Sequence, residues 1–311
     1  MESLVSVICL CYNHEKFVKE ALLSVFNQSY ARIEVLVVDD CSSDGSVSVI
    51  REILKDYPSV RFIENKVNLG NCRSFNKAFS LSKGDFVVDF ACDDVMMSDR
   101  IAEQVQVFNE LNDSYGVVYT NAENIDEKGI FINFNYPKNS NQPSGYIYMD
   151  LVERYFISPP TMMMKREVLE YLGGYDESLA YEDFDFWIRS SRRYQYYFLN
   201  KILTKRRVVL HSHSSKFNWE GNNPFIASTY KVVMKAAWLN KKEEENAALI
   251  KRVKYEFRHA GYIANNEFSK KYFLLLKQLG GANVVSYVIL ALSELNLPLP
   301  LFYRFLKKIR N

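Results

Sequence analysis

The sequence predicts an α/β fold: a mainly parallel central sheet flanked by helices, with a helical C-terminal appendage. Three observations predict it. Short apolar, β-branched runs alternate with stretches whose apolar residues recur at helical spacing, the pattern of strand–helix crossovers. Two of the runs, residues 33–38 and 87–90, lead into the acid pairs Asp39-Asp40 and Asp93-Asp94, so carboxylates stand where open α/β sheets bind ligands. Beyond about residue 222 the strand pattern stops and only helical periodicity continues.

Residues 4–11 form a near-continuous apolar run, a buried first strand. Tyr12-Asn13-His14 turns the chain, with Asn13 as a helix cap, and Phe17, Val18, Ala21, Leu22, Val25 and Phe26 carry a helix to about Gln28. The second strand is 33–38. The polar loop Asp39-Asp40-Cys41-Ser42-Ser43-Asp44-Gly45-Ser46 feeds a helix over 47–55 that stops before Pro58. Residues 60–63 make a short third strand. Asn68-Leu69-Gly70-Asn71 is a turn or cap before a helix that ends at Gly84, and the strand through Phe90 follows. Next come a helix marked by Ile101, Val105, Phe108 and Leu111, and a strand over 116–119.

Residues 121–148 break this rhythm and fit either a functional rim or a long surface hairpin. A helix over 166–172 ends at Gly173-Gly174, another starts near Asp183, and 194–199 and 207–210 read as separate strands. The expected division is a domain over 1–220, in halves of about 1–100 and 101–220, and a helical region over 221–311.

Composition bounds little beyond a folded protein: 311 residues, 48% apolar and 24% charged. The formal charge of +2 says nothing about partners taken whole, and no nucleic acid is expected. The charge is uneven, however. From residue 241 onward thirteen Lys and Arg stand against six Glu, net +7, leaving −5 before it. Five cysteines, an odd number without zinc spacing, suit a reducing compartment. No leader-like start and no apolar run long enough to span a bilayer are evident.

Asp93 and Asp94 are the strongest chemical signal. Adjacent acids at a strand end can put one carboxylate on a divalent cation and the other on a ribose, although they also fit a solvated, capped turn. Asp39 and Asp40 carry the same two readings. Two such pairs at one sheet edge repel unless a cation or hydrogen-bond donors offset them. Tyr181-Glu182-Asp183-Phe184-Asp185-Phe186-Trp187-Ile188-Arg189 puts three acids ahead of an aromatic helix face. Asp183 suits a general base, Glu182 an acceptor contact, and Asp185 with Arg189 a brace; capping of the helix start is the rival reading. His211 and His213 are candidates for a metal or diphosphate contact, or plain packed histidines. Spaced glycines after strand one and a Gly-Lys-Ser/Thr loop are both absent, which argues against a dehydrogenase and a P-loop ATPase.

Taken in order, these motifs resemble family 2 of the glycosyltransferases, which has the GT-A nucleotide-diphospho-sugar fold. The resemblance covers about residues 4–215. It rests on Ser6-Val7-Ile8-Cys9-Leu10-Cys11-Tyr12-Asn13, the loop from Val37 to Ser46, Asn68-Leu69-Gly70, Asp93-Asp94, Gly173-Gly174-Tyr175-Asp176-Glu177, and the segment from Glu182 to Arg189. It implies an inverting, metal-dependent transfer of a hexosyl or N-acetylhexosaminyl group from a nucleoside-diphosphate sugar, a UDP-sugar foremost, to a glycan or lipid-linked acceptor. The halves 1–100 and 101–220 become a donor and an acceptor half. Asp40 matches the acid that recognises the base, with backbone around Leu10, Tyr12 and Asn13. Asn68, Gly70, Asn76 and Asp93 join the donor contacts. Asp94, with Asp93 and His213, would hold Mn²⁺ or Mg²⁺, and Asp183, beside Glu182, would be the base.

Three positions depart from the family pattern: Leu10-Cys11 in place of a Pro-Thr pair, Ala91 where many members have Asp, and Phe75 before Asn76 with the arginine moved to Arg73. The resemblance also suggests bacterial surface-polysaccharide, lipopolysaccharide or capsule synthesis. Rival functions are a nucleotidyltransferase acting on a sugar phosphate and a non-catalytic nucleotide-sugar binding protein.

The tail has two open readings. Apolar residues 282–295, prolines, and then Arg304, Lys307, Lys308 and Arg310 suit the surface of an anionic membrane, as part of a cytoplasmic, peripheral protein. They also suit a core or dimer helix with a solvated basic end. Oligomeric state is left open.

Overall fold

The computed structural model describes residues 2–209 and 223–295. Four parallel strands form one half of its sheet: β1 (Val5–Cys11), β2 (Ile33–Asp39), β3 (Arg61–Glu64) and β4 (Phe86–Ala91). Between them run α1 (Val18–Phe26), α2 (Ser46–Leu54) and α3 (Asn71–Phe79). Every residue of β1 is buried, as its unbroken apolar run requires of a central strand covered on both faces.

The second half is mixed. β5 (Val95–Met96) precedes α4 (Arg100–Glu110), and β6 (Tyr115–Ile125) pairs antiparallel with β7 (Phe131–Phe134). Further on come α5 (Tyr148–Glu153), β8 (Met163–Lys165), α6 (Arg166–Leu172), α7 (Asp183–Ser190) and β9 (Gln195–Arg207). The strand order is β3-β2-β1-β4-β8-β6-β9-β5, with β7 beside β6.

Several elements differ from the sequence reading. Residues 121–148 open as the end of β6 and a hairpin turned at Gly129, whose φ of +81° suits glycine. The runs 194–199 and 207–210 are not two strands, because β9 is continuous from Gln195 to Arg207. Its polar middle stays paired with β6 through register shifts at Asn121, where the Asn121 carboxamide oxygen accepts from the amides of Ala122 (2.9 Å) and Tyr136 (3.0 Å). Asn13 does not cap α1, which starts five residues later; its side chain is committed across to the β2–α2 loop.

The chain divides into two compact units, Met1–Ile147 with Phe156–Val209, and Tyr148–Tyr155 with the residues from Leu210 onward. In the second unit α8 (Pro224–Leu239), α9 (Glu243–Tyr262), α10 (Asn266–Gln278) and α11 (Val284–Glu294) follow one another, and α5 packs on α9. There the Arg252 guanidinium donates to Val152 O at 3.2 Å and to buried Glu256 at 3.3 Å, and lies 4.1 Å from the Tyr155 ring centroid. No helix among the described residues is long and apolar enough to cross a membrane.

Candidate active site

Parallel pairing brings the carboxyl ends of β1, β2, β3 and β4 to one edge. Cys11 lies opposite Asp39 and Leu10 opposite Ala91, and the amides just beyond continue the ladder: Asp40 N donates to Cys11 O and Cys92 N to Leu10 O, both at 2.9 Å. The β1–α1 and β2–α2 loops are then joined side chain to backbone. Asn13 N donates to Ser42 Oγ (2.9 Å), Ser43 N to Asn13 Oδ1 (2.8 Å), His14 N to Ser46 Oγ (2.9 Å) and Glu15 N to Asp44 Oδ2 (3.0 Å). Asn13 and Cys41 hold left-handed backbone, φ 58° and 65°, at this junction. Tyr12 stands exposed beside it, while the Leu10 side chain is buried in the sheet.

Asp39 is spent on structure, accepting from the amide and hydroxyl of Ser42. Asp40 is buried as well. Its Oδ1 accepts from Asn65 Nδ2 (2.9 Å) and Leu69 N (2.8 Å), and its Oδ2 from Gly70 N (2.8 Å). Asn68 braces the same turn, its Oδ1 accepting from Gly70 N at 3.1 Å. Gly70 sits at φ +82°, a conformation open to glycine at no steric cost. Asp40 therefore fixes the 68–70 turn over the strand ends.

Asp93 and Asp94 follow β4 in a tight turn. Asp93 is partly exposed and 3.9 Å from His14 Nε2, whereas Asp94 is 5% exposed and accepts from Arg207 N at 2.7 Å. Burial first, and then the neighbouring Asp93 charge, push the Asp94 carboxyl well above the carboxylate range. Among the described residues no group of three or more His, Cys, Asp or Glu is arranged to hold a metal ion. His211 and His213 lie outside the described residues.

Asp183 begins α7, and Glu182 is the capping residue just before it. Burial first, and then the Glu182 charge, raise Asp183 to about 8 against its own helix amides, which favour the ionised form. Glu182 is also raised by burial, and its carboxylate accepts from Asn71 Nδ2 at the first residue of α3. Asn76, expected among the donor contacts, has its polar atoms taken by the 174–177 segment. Its Oδ1 accepts from Tyr175 N (2.9 Å), and its Nδ2 donates to Tyr175 O (2.9 Å) and Glu177 Oε1 (3.0 Å). The Asp185–Arg189 brace forms at 2.6 Å, and Arg189 also ties down the carbonyls of Leu172 and Gly174.

Four residues that matter here carried no signal in the sequence reading. Arg207, buried at the end of β9, donates to Asp93 O (2.8 Å), Asp126 O (3.0 Å) and Glu20 Oε2 (2.6 Å), and so clamps the Asp93–Asp94 turn. Arg206, next to it on β9, opposes the upward shift of both Asp94 and Asp183. Asp89, on β4, accepts from Tyr175 Oη at 3.1 Å and is held well above its ordinary value by burial and then by Glu182. Arg100 is wholly buried with Nη1 unbonded, and burial depresses it to about 9 against the pull of Asp94. The basic triplet Lys205-Arg206-Arg207 at a strand end is the one sequence feature that could have drawn notice.

This geometry matches known proteins. The model of glycosyl transferase family 2 covers residues 6–173, more than half of the chain, ending short of α7. A glycosyltransferase of Haemophilus influenzae is 30% identical over 227 residues, 70% of each chain. The chain therefore belongs to glycosyl transferase family 2 and is a glycosyltransferase. Among solved structures, Staphylococcus aureus TarS 1-349 in complex with UDP-GlcNAc superposes with a TM-score of 0.64 at 20% identity, over 89% of this chain and 78% of that one. The mannosyltransferase PcManGT of Pyrobaculum calidifontis, in complex with GDP-Man and Mn²⁺, gives 0.61 at 17% identity, over 94% and 79%. Both share the GT-A fold seen here.

Proposed function

We propose that this glycosyltransferase moves a sugar from a nucleoside-diphosphate sugar, a UDP-sugar foremost, to a hydroxyl of a glycan or lipid-linked acceptor, inverting the anomeric carbon. One observation carries the reading: Asp40 fixes the 68–70 turn and Asn71, next to it, donates to Glu182, so the start of α7 with Asp183 stands at the strand edge that also carries Asp93 and Asp94. The TarS complex with UDP-GlcNAc supports the donor class.

In this reading residues 1–100 serve the donor and 101–220 the acceptor, with 221–311 as a helical region. Asp40 and the backbone of Leu10, Tyr12 and Asn13 meet the base, Asp93 meets the ribose or sugar, and Arg206 meets the diphosphate. Asn68, Gly70 and Asn76 support these contacts through the turns they fix. Asp183 removes the acceptor hydroxyl proton. The freed oxygen attacks the anomeric carbon opposite the diphosphate, and the bond from that carbon to the diphosphate oxygen breaks. A base whose own value lies near ambient pH is suited to such a transfer. Glu182 orients the acceptor.

Asp93 and Asp94, adjacent in one tight turn, present hard oxygen donors of the kind that Mg²⁺ and Mn²⁺ take, so the chemistry of the pair fits the ion, although the described residues add no third acid, His or Cys to it. His213 is the candidate third ligand. When bound, the cation would stabilise charge growing on the leaving diphosphate. The mannosyltransferase complex with GDP-Man and Mn²⁺ supports this part. The setting we propose is cytoplasmic synthesis of a bacterial surface polysaccharide.

A thermal-shift panel of nucleoside diphosphates and their sugars, with and without Mn²⁺, tests the reading. One nucleoside-diphosphate sugar is expected to stabilise the protein well beyond the others, and more so with the cation. Indifference to the whole panel would contradict it. Proton NMR of the product then reads the anomeric configuration, which is expected to be inverted.

A further inference from the structure

We infer that α11 docks this chain on the surface of an anionic lipid bilayer. The helix turns much of its apolar surface outward. Its buried residues are Ser286, Ile289 and Ser293, and Ser293 Oγ donates to Asn266 Oδ1 at 2.7 Å. Its outward residues are Val284, Val285, Tyr287 and Val288, at 79%, 51%, 53% and 39% exposure. A helix bathed on one side by water carries the opposite arrangement, apolar inward and polar outward. No charged residue interrupts α11 before Glu294, and Leu274 of α10 and Leu295 add exposed apolar surface. Its eleven residues span roughly 16 Å at the α-helical rise, far short of a bilayer crossing.

The sequence beyond Glu294 selects the occupant. It runs Leu-Asn-Leu-Pro-Leu-Pro-Leu-Phe-Tyr and then carries Arg304, Lys307, Lys308 and Arg310, with no acid. A second copy of this chain would bring the same four cations to the contact, and α11 itself offers only Glu294 against them, already paired with Lys270 at 3.1 Å. An anionic bilayer offers an apolar layer for the valines, an interfacial zone suited to tyrosine, and negative headgroups for the arginines and lysines.

Flotation of the full chain with lipid vesicles tests this without any use of transfer activity. The protein is expected to float with vesicles of phosphatidylcholine mixed with phosphatidylglycerol, and to bind phosphatidylcholine alone at least roughly ten-fold more weakly. Binding to the mixed vesicles is expected to fall as salt rises. The double variant V285E/V288E alters only exposed side chains, and circular dichroism checks its fold. It is expected to lose flotation, as is the variant with Arg304→Gln, Lys307→Gln, Lys308→Gln and Arg310→Gln.

Failure of the unaltered chain to float with anionic vesicles would overturn the inference, as would equal, salt-independent binding to neutral ones. Undiminished flotation of a folded V285E/V288E would overturn the part assigned to α11. So would sedimentation showing a dimer that this variant turns into monomers while vesicle binding is absent.

Discussion

At the scale of single residues, the site is a set of acids given different work by different surroundings. Asp39 and Asp40 are satisfied by backbone and Ser42 or Asn65 donors, whereas Asp94 and Asp183 are buried with too little compensation and hold their protons high. If Asp183 is the base, kcat/KM should climb about ten-fold per pH unit below about 8 and level off above it, because only the ionised carboxylate accepts the proton. Asp183→Asn should cost about 10²–10⁴ in turnover, and steady-state assays with the identified donor check both.

Arg207→Gln should lower stability by about 3 kcal/mol in denaturant titration, since it strips donors from Asp93 O, Asp126 O and Glu20 at one buried point. The four acids Asp40, Asp93, Asp94 and Asp183 were legible because each adjoins a strand run or an aromatic helix face. Arg207 was not. All of its guanidinium partners are at least 80 positions away, and local pattern holds no trace of such contacts.

At the scale of elements, the site depends on turns held from a distance. Gly174 has φ +83°, and a Cβ there would stand 2.6 Å from Asn76 Oδ1, the atom that receives Tyr175 N. Tyr175 in turn stacks on Phe75 at 4.2 Å between centroids and donates to Asp89. Gly174→Ala should therefore destabilise the protein by about 1–3 kcal/mol and weaken donor binding, measured by thermal melting and calorimetry. The parallel half of the sheet was readable because its strands are apolar runs separated by amphipathic helices. The mixed half was less so. Val95–Met96 and Met163–Lys165 are too short to show a period, and β9 carries Asn200-Lys201 and Lys205-Arg206 through pairing that a bulge at Asn121 makes possible.

At the scale of the whole molecule, the raised acids set how stability follows pH. Asp183 moves from an ordinary 3.8 to about 8 on folding, so the folded state binds more protons than the unfolded chain. Its contribution is fully present below about 3.8 and is lost as pH rises through about 8. Asp89 and Asp94 act in the same direction. Melting of the ligand-free protein should fall between about pH 4 and about pH 8, and Asp183→Asn should fall less over the same interval.

The most direct test separates binding from chemistry. Calorimetric titration of the identified nucleotide sugar, with Mn²⁺, into the unaltered protein, Asp94→Ala and Asp183→Asn should show metal-dependent binding lost in the first variant and kept in the second, which nevertheless fails to transfer sugar. Loss of donor binding in Asp183→Asn, or unchanged metal-dependent binding in Asp94→Ala, would contradict the division of labour between the two acids.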